Sequence, residues 1–254
     1  MIRYVVFFSM FFSLLVNAQE SEFETLQILF TESGKQIPED LALKYFNFKS
    51  TERANRLLTG KVIVKTKDYT ILSTILQCNL GGSCQQSSIT SFNNTGEKID
   101  TIAYERAIAD CSFDDRRESI FVSNDLLVFK ETRAKVDCLG DGKQLGVKVW
   151  LEFQPVKENG SFSKPYTDLK AIERDNYIFS HRVFTKEELN NKTEEELAVI
   201  KNEIFAAHGY VFTKTKWQDY FESKTWYIPS DTDAVNKLTD IEKKNVEVIL
   251  SMKQ

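Results

Sequence analysis

The chain has few residues that break regular structure, since its 254 residues include only 4 prolines and 10 glycines. No stretch is rich in proline or glycine and no segment is repeated, which argues against long-range disorder. Positive charge is not in excess either: 33 lysines and arginines are outnumbered by 37 aspartates and glutamates, for a formal net charge of -4. Such a chain lacks the basic footprint of a nucleic-acid-binding protein, so we expect no nucleic-acid partner.

The sequence motifs of common enzymes are also missing. There is no Gly-x-Ser-x-Gly elbow, no glycine-rich phosphate loop and no catalytic Cys-His pattern. The two histidines, His181 and His208, form no His-Glu-x-x-His zinc motif. The acidic runs at residues 114–115 and 194–196 lack the alternating oxygen spacing of a calcium loop. We therefore expect no metal and no cofactor, and the sequence favours a non-enzymatic protein.

An apolar run is present at the N-terminus. Arg3 precedes apolar residues 5–16, and residues 16–18 are small enough for signal peptidase. The run is shorter than the roughly 20 residues that span a bilayer. We predict a signal peptide over residues 1–18 and an exported protein, either periplasmic or extracellular, whose mature chain has no transmembrane segment.

Four cysteines, an even number, fit disulfide formation in an oxidising compartment. We favour a Cys78–Cys84 pair, because the intervening Asn-Leu-Gly-Gly-Ser can form a tight turn, and a Cys111–Cys138 pair. The sequence leaves the other two pairings open. A zinc site is the alternative, but the cysteines do not form paired short knuckles and no histidine lies nearby.

Residues 35–165 are rich in strand signals. A short helix is predicted to begin at Pro38, since proline suits a first helical turn. The hairpin turn Asn93-Asn94-Thr95-Gly96 separates two strand-like runs. The runs with strand character are 61–65, 69–77, 88–92, 98–104, 120–122, 126–130 and 147–153. We expect an antiparallel sheet that forms a sandwich or partly open barrel with a filled core, although an empty lumen would suit an apolar-ligand carrier.

The C-terminal third carries the signals of short, well-capped helices. Thr193 and Glu196 form a capping-box pattern, and the helix that follows is predicted to end near His208, before Gly209. Its core face is predicted to contain Leu197, Ile200, Ile204 and Ala207. The pairs Thr185/Glu188 and Thr239/Glu242 repeat the capping pattern. The fold class is therefore α+β, with a signal peptide at 1–18, a β-rich domain at 19–177 and a small all-α domain at 178–254.

The segment from Asn202 to Tyr210, NEIFAAHGY, resembles the name motif of the YARHG domain of secreted bacterial proteins. The resemblance extends from about residue 180 to residue 250, and Ala207 departs from it because the motif has arginine there. That family has no established chemistry. The residues that carry the motif, as structural or binding residues, are Asn202, Glu203, Phe205, His208, Gly209, Tyr210, Trp226 and Tyr227.

Two roles are open for the most chemically active motif residue, His208. A histidine in the last helical turn interacts favourably with helix-end carbonyls, which is the structural role. Alternatively it is a base that acts with a carboxylate such as Glu203. The aromatic residues form either a core or a platform for sugars or peptides. We expect a monomeric, non-enzymatic protein that binds an unknown partner at the cell envelope or outside the cell; the alternative is a cell-wall or peptide hydrolase that uses His208.

Overall fold

The computed structural model describes residues 22–51, 54–78, 84–110, 112–137, 144–230 and 232–252, with backbone only for residues 54, 55, 78, 84, 85 and 110. The chain divides into two compact units, one up to Thr167 and one from Asp168 onward. The domain boundary predicted from the sequence, between residues 177 and 178, lies further along the chain and stays a prediction.

The N-terminal unit contains two short helices and a sheet. Helix α1 covers residues 22–29 and α2 covers Glu39–Phe46. The strands are β1 (Ala54–Lys65), β2 (Tyr69–Cys78), β3 (Cys84–Asn93), β4 (Lys98–Asp110), β5 (Phe113–Val122), β6 (Leu126–Val136), β7 (Gln144–Pro155) and β8 (Tyr166–Asp168). They lie in one sheet in chain order, and β1 to β7 pair antiparallel with their neighbours.

The sheet is strongly curved. The hydroxyl of Tyr69, at the start of β2, donates a hydrogen bond to the carbonyl of Asn124, between β5 and β6. Gly160, which follows β7, also lies against the Tyr69 ring. These contacts bring together strands that are far apart in the sheet order. The α+β prediction is confirmed, and the strands that the structure describes form one open sheet instead of the two sheets of a sandwich.

Each face of the sheet has its own core. Helices α1 and α2 cover one face, where Phe23 and Leu26 pack with Leu72 of β2. On the other face Ile71 packs in a cluster with Phe129 of β6. Helix α2 confirms the prediction at Pro38, whereas α1 was not predicted, although three- and four-residue apolar spacings over 23–30 indicate it. The two cores lie on opposite faces because side chains alternate along a strand, so the neighbouring residues Ile71 and Leu72 point to opposite faces.

The predicted strand at residues 147–153 is confirmed as part of β7, but only half of its apolar face is buried. Leu151 is fully buried, whereas Val147 and Val149 are 49% and 37% exposed. Their cross-strand neighbours in β6 are Ala134 and Thr132. Those side chains are too short to cover the valines. The alternation of apolar residues alone therefore predicts more buried side chains than the strand has.

A buried charged cluster lies on the face that carries Phe129. The Arg117 guanidinium lies 3.8 Å from the centre of the Phe129 ring and forms an ion pair with Glu131. Its Nη1 also lies 2.8 Å from Oε1 of Glu152. Nη2 of Arg106 lies 3.0 Å from Oε2 of Glu131. Arg106 and Arg117 also line a cavity of about 610 Å³, whose lining includes further charged residues such as Asp114 and Glu118. These charges do not favour a purely apolar ligand.

The C-terminal unit is helical. Its helices are α3 (Lys186–Leu189), α4 (Glu194–Ala207), α5 (Thr215–Glu222) and α6 (Asp240–Ser251), with 3₁₀ turns at Ala171–Glu173, Tyr177–Ser180 and Val235–Lys237. All three predicted capping boxes are present. On α4 the buried alanine is Ala206, and Ala207 is only half-buried, which corrects the predicted core face. Among the helices that the structure describes, every one is too short or too polar to cross a membrane.

Candidate functional site

His208 follows the last residue of α4 and contacts the start of α6. Its Nε2 lies 2.8 Å from Oε2 of Glu242. The same carboxylate oxygen accepts from the backbone N–H of Thr239 at 2.8 Å and from the Thr239 hydroxyl at 3.1 Å. Glu242 is therefore both the reciprocal member of the α6 capping box and the partner of His208. The side chain of His208 reaches across to another helix and is not directed at the carbonyls of its own helix.

The environment of Glu242 favours its ionised form. Burial by itself raises the pKa of this carboxyl, because the residue is only 2% exposed. Hydrogen bonds from His208, the Ser180 hydroxyl and the Thr239 backbone outweigh that effect and lower the pKa from 4.5 to about 2. Glu242 is thus a permanent anion at neutral pH, which can fix the orientation of the imidazole beside it.

Glu203 does not pair with His208, which corrects the pairing considered from the sequence. Residues five positions apart on an α-helix lie about 140° apart around its axis, since a turn takes 3.6 residues. Glu203 instead accepts from the backbone N–H of Asn176 at 2.8 Å and from its side-chain amide at 2.9 Å. Arg174 approaches the same carboxylate, with Nε at 3.5 Å from Oε1. Glu203 therefore attaches α4 to the segment that precedes α3.

A chain of polar contacts connects the two carboxylates. Arg174, which contacts Glu203, also donates from Nη2 to the Ser180 hydroxyl at 3.0 Å. Ser180 in turn hydrogen-bonds to Glu242, which holds His208. The contacts run from Glu203 on α4 through Arg174 and Ser180 to Glu242 on α6. From there they reach His208, directly after the last residue of α4. This network joins three segments that are distant in sequence.

The other histidine forms a similar pair. Nε2 of His181 lies 3.3 Å from Oδ2 of Asp168. The close contact with His181 is the main reason why the pKa of Asp168 is lowered from 3.8 to about 2. A backbone hydrogen bond from Lys170 contributes in the same direction. Both histidines thus lie against ionised carboxylates.

Both pairs line one cavity of about 480 Å³. Its wall also includes the Trp226 ring and the exposed Ile228 side chain. The volume lies in the range of small-molecule sites. Among the residues that the structure describes, no group of three or more histidine, cysteine, aspartate or glutamate side chains is arranged to hold a metal ion.

Residues 175–254 match the family model of the YARHG domain. This segment contains α3 to α6 and both His208 and Glu242. The match confirms the resemblance that the NEIFAAHGY segment indicated. No curated protein and no solved structure matches the chain.

The aromatic motif residues of the YARHG domain belong to, or pack against, a core cluster that contains Phe212 and Phe221. Tyr227 is buried, and its hydroxyl donates to the Tyr210 carbonyl at 2.6 Å. Phe205, Tyr210 and Trp226 pack against this cluster while partly exposed. Of the polar motif residues, Asn202 and Glu203 are buried. Tyr227 thus lies in the core, whereas the other three rings pack against the core and keep part of their surface exposed.

Gly209 forms the turn after α4. Its φ is +77°, in the left-handed region that the capping signal predicted. A Cβ at this position would lie 2.3 Å from the Ser230 hydroxyl oxygen, and the Gly209 carbonyl accepts from the Ser230 N–H at 2.9 Å. The turn therefore requires glycine for both its backbone angle and its packing.

Asn245, a buried residue of α6, was not predicted as a site residue. Its amide donates to the carbonyls of Phe179 and Arg182, both at 2.7 Å, and its oxygen accepts from the Phe184 N–H at 2.8 Å. A polar residue among the apolar positions of α6 is the signal that indicates such a role. It holds the 179–184 segment against α6.

The predicted disulfides involve cysteine side chains that the structure does not describe. Cys78 and Cys84 are described by their backbone only, at the end of β2 and the start of β3, and residues 111 and 138 lie outside the described ranges. The disulfide pairing stays a prediction.

Proposed function

We propose that this is an exported, non-enzymatic protein whose YARHG domain is an interaction module. The observation that carries the proposal is the bonding of Glu203 and His208, the carboxylate and the imidazole of the motif. Both are used to attach α4 to neighbouring segments within the domain. Motif residues with this role build a stable scaffold, and they leave recognition to the surface of the domain.

The number of hydrogen bonds at each carboxylate supports a structural role. Glu242 accepts from Thr239 and His208 while buried, and Glu203 accepts twice from Asn176 while buried. Buried carboxylates are stable when each is paired in this way. A general base, in contrast, needs a lone pair directed at the substrate.

A direct experiment compares wild type with His208→Gln in hydrolysis assays on peptidoglycan and on peptide libraries. The proposal expects no turnover by either protein and a lower stability for the variant. Turnover by wild type that His208→Gln abolishes would overturn it. Glutamine keeps a hydrogen-bond donor near Glu242, so the variant is expected to fold.

Export is the second part of the proposal, and the N-terminal apolar run supports it. N-terminal sequencing of the protein recovered from periplasm or culture fluid is expected to begin at Gln19. Mass mapping of non-reduced peptides is expected to find Cys78 joined to Cys84 and Cys111 joined to Cys138. An uncleaved protein in the cytosol, with four reduced thiols, would contradict export.

A hydrolase is the second candidate, and the His208–Glu242 pair favours it because it lines a cavity of ligand size. A carboxylate that binds one imidazole nitrogen fixes the tautomer and leaves the other nitrogen as a base. This candidate expects a pH-dependent activity that Glu242→Gln reduces by about 100-fold or more. An activity that both substitutions leave intact would exclude this pair as the catalytic base.

A further inference from the structure

A groove between α4 and α5, separate from the cavity that contains the histidines, combines lysines with aromatic rings. We propose that this groove binds an extended acidic peptide of a partner protein, with one apolar side chain placed between acidic ones. The inference rests on the proposed role of the domain as an interaction module. It adds a site and a chemical class of partner.

The floor of the groove is one stripe of α4. Ala198, Lys201, Asn202 and Phe205 line it, at spacings of three, four and seven residues from the first. At 1.5 Å per residue the stripe is about 10 Å long. An extended peptide advances about 3.3 Å per residue, so the floor accommodates about three residues. The volume of the groove, about 450 Å³, agrees with a segment of that size.

Three partly exposed aromatic residues line the groove. They are Phe205, Tyr210 and Trp217. The Phe205 and Tyr210 ring centres lie 5.9 Å apart, and Trp217 packs against the buried Phe221. The rings are thus held in place by the core while part of their surface faces the groove. An aromatic or aliphatic side chain of the ligand gains most by packing there.

The charged residues that line the groove are both lysines. Lys201 lies on α4 and Lys214 lies at the start of α5, so the two cations come from different helices. The described residues that line the groove include no carboxylate. The charge of this lining is opposite in sign to the formal net charge of the chain, which is -4. Positive walls attract an acidic ligand and repel a basic one.

These observations favour a peptide over a sugar polymer. A neutral glycan would use the rings but not the lysines. The planes of Phe205 and Tyr210 are tilted by 58°, so these rings suit an inserted side chain better than the flat face of a sugar, whether the glycan is neutral or anionic. A peptide with aspartate or glutamate on both sides of a phenylalanine uses both features. The rings and lysines lie close enough together for one such segment to reach them all.

The test uses the full mature chain and a fluorescein-labelled pentapeptide in which phenylalanine is flanked by two acidic residues on each side. Fluorescence anisotropy at low and high salt measures affinity. The proposal expects saturable binding that weakens with salt. A double charge reversal, Lys201→Glu with Lys214→Glu, is expected to reduce affinity at least tenfold. The matched control, Lys243→Glu with Lys244→Glu on α6, changes the net charge equally and is expected to bind like wild type.

Three results would overturn the inference. The first is that a peptide with lysines in place of the acidic residues binds as tightly as the acidic peptide. The second is that the control double variant weakens binding as much as Lys201→Glu with Lys214→Glu does. The third is that hyaluronan binds and the acidic peptide does not. In the second case the domain still binds a peptide, so the proposed function stands while the groove is wrong. Turnover that depends on His208 would remove the proposed function itself. Trp217→Leu, which removes a ring but no charge, is expected to weaken binding without changing its salt dependence.

Discussion

His208 and Glu242 join the end of one helix to the start of another, with Nε2 of the imidazole 2.8 Å from Oε2 of the carboxylate. The carboxylate is 2% exposed and belongs to a capping box. The domain contains two further capping boxes of the same type. The box of α6 differs from that of α4 because its glutamate is buried and also bonds a histidine, and this difference can be measured.

Glu242→Gln is expected to lower the free energy of unfolding by about 2–3 kcal/mol, because an amide cannot accept from His208 and the Thr239 groups as a carboxylate does. The matched control is Glu196→Gln, at the same position of the α4 box, where the side chain is 52% exposed. A much smaller loss is expected there. Urea unfolding followed by tryptophan fluorescence measures both. Equal losses would mean that the contact with His208 adds nothing.

Stability is expected to fall in acid. Asp168 and Glu242 have pKa values of about 2 in the folded protein, below their ordinary values of 3.8 and 4.5. A lowered folded pKa stabilises the protein fully above the ordinary value, and this contribution disappears as the pH falls toward 2. For the buried Glu242 it is on the order of 3 kcal/mol. Unfolding free energies measured from pH 6 to pH 2 check this, and Glu242→Gln is expected to flatten the profile.

Gly209→Ala is expected to destabilise the C-terminal unit by at least about 2 kcal/mol, since it combines a left-handed backbone with a contact to Ser230. Gly34→Ala separates the two effects. Gly34 also has a positive φ, of +85°, but nothing lies within 4 Å of an added Cβ. A loss of about 1 kcal/mol is expected at Gly34. Similar losses at both sites would show that packing against Ser230 does not contribute.

Arg117→Leu is expected to lower stability by about 3 kcal/mol, because it leaves the buried Glu131 with Arg106 as its remaining ion-pair partner. Adding Glu131→Gln is expected to restore part of the loss by removing the buried charge. Arg133→Leu, at an exposed ion pair with Asp115, is the control and is expected to change little. Thermal unfolding of the four proteins tests this; a double variant less stable than Arg117→Leu would contradict it.

Interactions between residues close in sequence determined what could be predicted. The three capping boxes, the glycine turn at Gly209 and the Asn93–Gly96 hairpin each depend on residues within about five positions of one another. The physics of a helix end or a tight turn is therefore already contained in a short segment. For the same reason the α+β class and the YARHG resemblance could be derived from the sequence.

Only the tertiary structure decided which distant residues meet. Glu242 contacts His208 across 34 positions, and Glu203 contacts Asn176 across 27, although the sequence offered Glu203 as the partner of His208. A helix sends side chains five positions apart in different directions, so their partners depend on which segments pack on each side. The curvature of the sheet and the exposure of Val147 likewise depend on packing between strands. The sequence by itself thus determined where elements begin and end, and the packing of those elements determined the sites.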